Sequence, residues 1–276
     1  MGGQSVCEVV ESNSPNYYPG DIVLAATGWQ DFSLSDGEKT QKIARSLRPI
    51  SYALGVLGMP GFTAYTGLLN IGKPRPGETI VVAAASGAVG SVVGQIAKIK
   101  GCRVVGIAGG KQKCRFVKDE LGFDACLDHR EPELGENLKA ACPEGIDIYF
   151  ENVGGPVFDA VLPLLNNFAR IPVCGLIAQY NAAELPPGPD HLPLLMWVIL
   201  VKRLTFRGFI VHDYASQFPD FVTDMETWLS EGRIKYREDI TDGLENAPCE
   251  LIRLLQGENF GKKLIRVCPE PTAPKR

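Results

Sequence analysis

Short apolar runs and longer amphipathic stretches alternate along the middle of the chain. The runs TIVVAAA (79–85), CRVVGIA (102–108), DACLD (124–128), IDIYFEN (146–152), ARIPVCG (169–175) and LTFRGF (204–209) have the length and the apolar, largely β-branched character of buried strands. Between them AVGSVVGQIAKIKG (88–101), KQKCRFVKDELG (111–122), ELGENLKAAC (133–142) and GPVFDAVLPLLNN (155–167) repeat apolar residues every three to four positions, the period of a helix with one buried face. Parallel neighbours need a long connection, and a helix supplies it. The alternation therefore predicts an α/β, doubly wound parallel sheet of the nucleotide-binding kind.

The flanks differ. GDIVLAATGWQDF (20–32) is strand-like and punctuated by glycine, ESNSPNYYPGD (11–21) is a turn region, and PCELIRLLQ (248–256) leads as a helix into the apolar strand GENFGKKLIRV (257–267). The two ends are expected to meet as one small β-rich substrate domain, residues 1–50 with 236–276, beside a nucleotide-binding domain at 51–235. LPLLMWVILVK (192–202) is the most apolar run, but it is about half the length that spans a bilayer and runs into Lys202 and Arg203. It reads as a buried or pocket-lining helix. No repeat is visible, and only the tail CPEPTAPKR (268–276) reads as disordered.

Composition narrows the partners. A length of 276 residues leaves room for two domains, and 45% hydrophobic against 22% charged residues is a globular balance. A net charge of -4 with no Lys/Arg block argues against nucleic acid and against an anionic membrane surface. The start MGGQSVCEVV lacks the basic and apolar segments of a secretion signal, which predicts a cytoplasmic protein. The 8 cysteines are scattered without a C-x-x-C, so they read as reduced packing residues, and the 3 histidines are too dispersed for a metal site to be expected.

Small residues concentrate at one place. Ala85-Ser86-Gly87-Ala88-Val89-Gly90 is the A-x-G-x-x-G form of a dinucleotide fingerprint, set after a strand and at a helix start. Gly87 would let the backbone approach a pyrophosphate met by the helix N-terminus, while Gly90 and Gly94 would let the helix lie close on the sheet. The next strand decides the cofactor. Readers of a free ribose 2′-hydroxyl carry an acid there, but here Ala108-Gly109-Gly110-Lys111-Gln112-Lys113 has none. Lys111 or Lys113 would attract a 2′-phosphate, so NADPH is the expected cofactor.

GMPGFTAYTGLLNIGKPRPGETIVVAAASGAVGSVVGQIAKIKGCRVVGIAGG, YFENVGG, CGLIAQYN and GENFGKKLIRV together resemble the zinc-independent medium-chain dehydrogenase/reductases, in the branch of the prostaglandin reductases and NADPH-dependent curcumin reductases. The likeness covers nearly the whole chain. It implies a Rossmann domain beside a GroES-like one, with pyrophosphate contact at Gly87, Ala88, Val89 and Gly90 and 2′-phosphate contact at Lys113. It further implies cofactor contacts at Asn152, at Cys174, Gly175 and on to Tyr180, at Phe209, Ile210 and Val211, and at Asn259 beside the nicotinamide. Relatives often carry an Asn-Tyr pair where this chain has Asp128-His129; His129 is carried over as a phosphate or adenine contact. By the same resemblance the small domain begins well upstream in relatives, so this chain is expected to lack roughly 70 residues, enough for several strands of about 5–6 residues. Weak or no reductase activity with NADPH binding kept, and open strand edges, are the expected consequences.

The resemblance implies reduction of a carbon–carbon double bond conjugated to a carbonyl, as in enals, enones and 15-oxoprostaglandin-like substrates. Tyr180 and Tyr214 are the candidates for holding the developing oxyanion, with a cofactor ribose hydroxyl as the alternative, and the proton comes from solvent or tyrosine. The Pro-rich ELPPGPDHLP (184–193) has the composition of a substrate-pocket loop. Two other readings stay open: a quinone reductase of the same fold and a non-catalytic NADPH-binding protein. A homodimer is the expected assembly.

Overall fold

A computed structural model describes residues 2–44, 47, 49–184 and 191–270. The chain opens with β1 (Gln4–Glu8), β2 (Ile22–Ala26) and β3 (Gln41–Lys42), a small antiparallel sheet in the order β1-β2-β3. Helix α1 (Met59–Thr66) then leads into the alternating region: β4 (Thr79–Val82), α2 (Gly90–Ile99), β5 (Arg103–Ala108), α3 (Lys111–Arg115), β6 (Ala125–Asp128), α4 (Leu134–Ala141), β7 (Ile146–Phe150), α5 (Gly155–Val161), β8 (Leu165–Val173), α6 (Leu192–Lys202) and β9 (Thr205–Gly208). Helix α7 (Phe218–Ser230), β10 (Glu238–Asp242), α8 (Ala247–Leu255) and β11 (Lys262–Arg266) follow.

The six expected strands form one sheet, in the order β6-β5-β4-β7-β8-β9, with every neighbouring pair parallel. This is the doubly wound α/β fold predicted from the alternation. Alternate residues on a strand point to opposite faces, and here each face has its own core. Ile80, Val82, Val104, Ile148 and Phe150 face α1, α2 and α7, while Val81, Val105, Ile107 and Tyr149 face α4 and α5. Burial on both faces explains why the strands read as unbroken apolar runs.

Two helices that the sequence analysis assigns to no element complete the first face. Seven successive residues of α1, Pro60 to Thr66, are buried, so it shows no polar side from which a helical period could be read. Helix α7 buries Phe221, Met225 and Trp228, one stripe at helical spacing. Phe221 meets the Phe62 ring at 5.1 Å and is fully buried, worth about 2–3 kcal/mol relative to an exposed ring. Tyr65 donates to Asp224 across the same contact at 2.8 Å.

Three expectations change. The stretch 111–122 is a five-residue α-helix continued by a π-helical turn, Phe116–Glu120. Residues 165–167 are strand rather than helix, because Pro163 sits in the 3-10 turn that ends α5 and cannot donate to a continuing helix. Helix α6 is not buried: none of its residues is, and Trp197 is 63% exposed. It is apolar on all sides, yet only Leu195, Val198 and Ile199 reach the core beside the sheet edge.

The chain ends approach each other without sharing a sheet. Ile50 N–H donates to Glu270 at 3.1 Å and Ser51 to Glu238 at 2.8 Å. Strands β10 and β11 form their own parallel pair, with α8 as the crossover that parallel neighbours require.

Candidate active site

The glycine loop joins β4 to α2. Gly87 N–H donates to the Ala84 carbonyl at 2.9 Å, closing the turn, and Ala84 adopts the left-handed conformation at φ 50°. A Cβ on Gly90 would overlap that same carbonyl, so the turn closes only around a residue without a side chain. One turn along α2, a Cβ on Gly94 would overlap the Phe123 ring, which is the close helix packing read from the sequence. Ala85 N–H donates to Ile107 O at 2.9 Å and fixes the loop to β5. Ser91 N–H donates to Gly87 O at 3.1 Å and Val92 and Val93 N–H to Val89 O at 3.0 Å, so the first turn of α2 is closed by the loop itself and the positive end of the helix dipole faces the glycine loop.

Asn152 is brought to the same loop. Its side-chain amide donates to Ala83 O at 2.8 Å, tying the end of β7 to the end of β4. The residue that fixes this junction is its neighbour Glu151, which the sequence analysis does not single out. Glu151 is 3% exposed, and its Oε1 accepts from Val153 N–H at 2.6 Å, Gly154 N–H at 2.8 Å and the Tyr149 hydroxyl at 3.1 Å. Burial pushes its carboxyl above the usual value even against those hydrogen bonds. The main chain of Glu151 also accepts from Cys174 and Gly175 N–H, which sets β8's end beside β7's. Burial, then the charge of Glu151, pushes the Cys174 thiol up to about 12, so it is a neutral packing group.

At the end of β5 the Gly109-Gly110 turn carries the cations. Asp128 accepts from Gly110 N–H at 2.8 Å and Arg130 N–H at 3.0 Å, so β6 fixes the start of α3. A Cβ on Gly109 would stand 2.9 Å from His129 Nε2 and 3.2 Å from Arg130 Nε, so both side chains cross the turn. Half-buried Lys113 donates to Gly257 O at 2.6 Å. Burial and the Arg130 guanidinium lower the charged form's stability at Lys113 and at His129 alike. Lys111 instead pairs with Glu131 at 3.3 Å on the surface. Arg130 is the cation that the sequence analysis misses, since it lies past β6 and only the fold carries it to this turn.

The remaining candidates are divided between the two sides. A Cβ on Gly175 would stand 3.0 Å from the Tyr180 hydroxyl, which places that phenol over the β8 end, and Tyr180 is 63% exposed. Phe209 stands edge-on to Phe150 at 6.5 Å and to half-buried Tyr214 at 6.3 Å, beside partly buried Val211 and exposed Ile210. Asn259 turns its amide to Gly261 O at 2.9 Å. Its neighbour Phe260 stacks edge-on against Phe116 at 5.0 Å, so this segment is tied to the turn that continues α3. Of the Pro-rich loop 184–193, residues 185–190 lie outside the described residues.

Two family models match the chain, "Zinc-binding dehydrogenase" over residues 88–227 and "N-terminal domain of oxidoreductase" over residues 1–43. Among the described residues no group of three or more His, Cys, Asp or Glu is placed to hold a metal, and no helix is long and apolar enough to cross a membrane. Fold and loop together define a nucleotide-binding oxidoreductase architecture. The chain belongs to the medium-chain dehydrogenase/reductase family, in the branch of the curcumin and prostaglandin reductases. It is 60% identical to the NADPH-dependent curcumin reductase of Escherichia coli K12, over 97% of this chain and 78% of that protein. It is 44% identical to prostaglandin reductase 1 of Bos taurus, over 96% of this chain and 81% of that protein. The crystal structure of CurA from Vibrio vulnificus in complex with NADPH superposes with a TM-score of 0.94 at 56% identity, over 98% of this chain and 80% of that one.

Proposed function

We propose that this chain reduces the carbon–carbon double bond of α,β-unsaturated carbonyl compounds with NADPH. The observation that carries the reading is the 60% identity to a protein named NADPH-dependent curcumin reductase, held over 97% of the chain. The site fits the cofactor. A turn that excludes a Cβ at Gly90 suits a pyrophosphate at Gly87, Ala88, Val89 and Gly90, and Lys113, His129 and Arg130 suit a 2′-phosphate. Asn152, Cys174, Gly175, Phe209, Ile210 and Val211 would flank the nicotinamide half, with Asn259 closing from the α3 side.

When bound, the reduced nicotinamide supplies a hydride to the β-carbon of the substrate. The chain's part is to orient and to stabilise charge. Tyr180, standing over Gly175, donates a hydrogen bond to the substrate carbonyl oxygen, and that bond strengthens as the oxygen gains charge. Tyr214 is held by Phe209 and lines the apolar wall, and a proton from solvent or tyrosine completes the product. Residues 51–235 hold the cofactor in this reading, and 1–50 with 236–276 belong to the substrate domain. The protein works in the cytoplasm as a homodimer, an assembly that the exposed apolar face of α6 supports.

The test is turnover of NADPH by the purified chain with a panel of enals, enones and quinones, followed by loss of the reduced-nicotinamide absorbance. Enals and enones are expected to turn over faster than quinones. Turnover of quinones alone, or tight NADPH binding with no turnover of any substrate, would overturn the reading.

A further inference from the structure

Helix α3 and strand β6 bring two cysteines together behind the cation cluster. Cys114 and Cys126 line a cavity of about 600 Å³ with Lys111, Arg115, Asp128 and Glu131, and both are half-buried free thiols. The Cys126 thiol holds the Cys114 thiol below its ordinary value, against burial and the Asp128 charge, with a hydrogen bond at Ala108 on the same side of the balance. Cys126 is pushed up by Cys114 and by burial. Elsewhere burial raises Cys102 and Cys142 to about 11, so those thiols are inert.

We propose that Cys114 and Cys126 form a peroxide-sensitive dithiol whose oxidation to a disulfide weakens cofactor binding. The cavity gives a small peroxide access to Cys114. Its thiolate attacks one peroxide oxygen, the O–O bond breaks, and hydroxide leaves, giving a sulfenic acid. Cys126 then attacks that sulfur; its proton and the sulfenic hydroxyl depart as water, and the S–S bond forms. The sum is two thiols and one hydrogen peroxide giving one disulfide and two waters. Once Cys114 is a neutral sulfenic acid, the anion that kept the Cys126 proton in place is gone, which frees Cys126 to act.

The consequence follows from neighbours. Cys114 adjoins Lys113, which holds Gly257 O, and Cys126 lies on the strand whose Asp128 fixes Gly110 at the start of α3. Closing the two sulfurs to a bond of about 2.05 Å draws this five-residue helix toward β6 and displaces the Gly109-Gly110 turn, where Lys113, His129 and Arg130 would meet the 2′-phosphate. The effect on affinity rests on the NADPH reading above; the disulfide does not.

The reduced chain is treated with limiting hydrogen peroxide, alkylated, digested without reductant and mapped by mass spectrometry. A linked Cys114–Cys126 peptide pair is expected before the exposed Cys249 and Cys268 react, and Cys126→Ser is expected to stop at a dimedone-trappable sulfenic acid on Cys114. Oxidation at Cys249 and Cys268 with Cys114 still alkylated would overturn the dithiol. NADPH titration of the oxidised protein is expected to show affinity down by roughly tenfold, the worth of one charge-assisted contact, and recovered with dithiothreitol. A linked protein with unchanged affinity would overturn the regulation. A reduced protein that binds no NADPH would instead refute the cofactor reading, and the mapping would still decide the dithiol.

Discussion

Arg130→Leu is expected to weaken NADPH binding and spare NADH. The guanidinium stands at the Gly109 turn, with its Nε 3.2 Å from where a Cβ on Gly109 would lie. It raises the cost of the Lys113 charge at this place. A dianionic phosphate between them removes that repulsion and adds charge-assisted hydrogen bonds of about 1.5–3 kcal/mol each. Arg130 is exposed, so solvent screening puts its share near the lower end. About 1.5–2 kcal/mol then corresponds to a roughly 10–30-fold rise in the NADPH Kd. Lys113 must give up its 2.6 Å bond to Gly257 O before it can turn to a phosphate, so Lys113→Met is expected to cost less than Arg130→Leu. Lys113→Glu, which sets an anion against the phosphate, is expected to erase the preference. The assay is calorimetric titration of each variant with NADPH and NADH at low and moderate salt. An NADPH Kd unmoved by Arg130→Leu, or an NADH Kd raised by the same factor, would refute the assignment.

Gly94→Ala is expected to lower the melting temperature through a clash with Phe123, at about 1–3 kcal/mol, and Phe123→Leu in the same chain to restore part of it; additive losses in thermal melts would count against that contact. Tyr180→Phe is expected to slow enone turnover by about tenfold, the low end for losing an oxyanion donor because Tyr180 is largely exposed, and an unchanged kcat would move the role to Tyr214 or to a ribose hydroxyl. Burial raises the Glu151 carboxyl in the folded chain, so its protonated form is favoured there and its contribution to stability is present at low pH and lost as pH rises through the folded value. The urea midpoint of the wild type relative to Glu151→Gln is therefore expected to fall as pH rises above the ordinary carboxyl value of 4.5, and a gap that widens with pH would sink the argument.

The sheet was readable because its strands are short apolar runs buried on both faces, and the helices between them carry a period that local sequence displays. Where burial is complete or absent, that signal fails. Helix α1 hides every residue from Pro60 to Thr66, and α6 is apolar all round while packing only on Leu195, Val198 and Ile199. Neither has a polar side, so α1 went unread, while α6 was legible as a helix but its exposure was not. Pro163 cut short a period that otherwise ran on into β8.

The same distinction runs through the candidate site. The glycine loop is a local device, since Gly87 and Gly90 both answer to the Ala84 carbonyl within one turn, so spacing alone could reveal it. The residues that complete it are joined across the sheet. Asn152 reaches Ala83 from 69 positions away, and Lys113 reaches Gly257 from 144 positions away. Glu151 reads in sequence as one more residue near the end of a strand run. Only the adjacency of β7 and β8 turns it into the acceptor that gathers Tyr149, Val153 and Gly154 and, through its main chain, Cys174 and Gly175. A parallel sheet with its loops at one end makes such convergence unavoidable, because successive strands all deliver their carboxyl ends to the same edge. Residues one step past each strand are thus the ones to test first, and Arg130, two steps past β6, was missed because the Gly109-Gly110 turn that it crosses belongs to another strand.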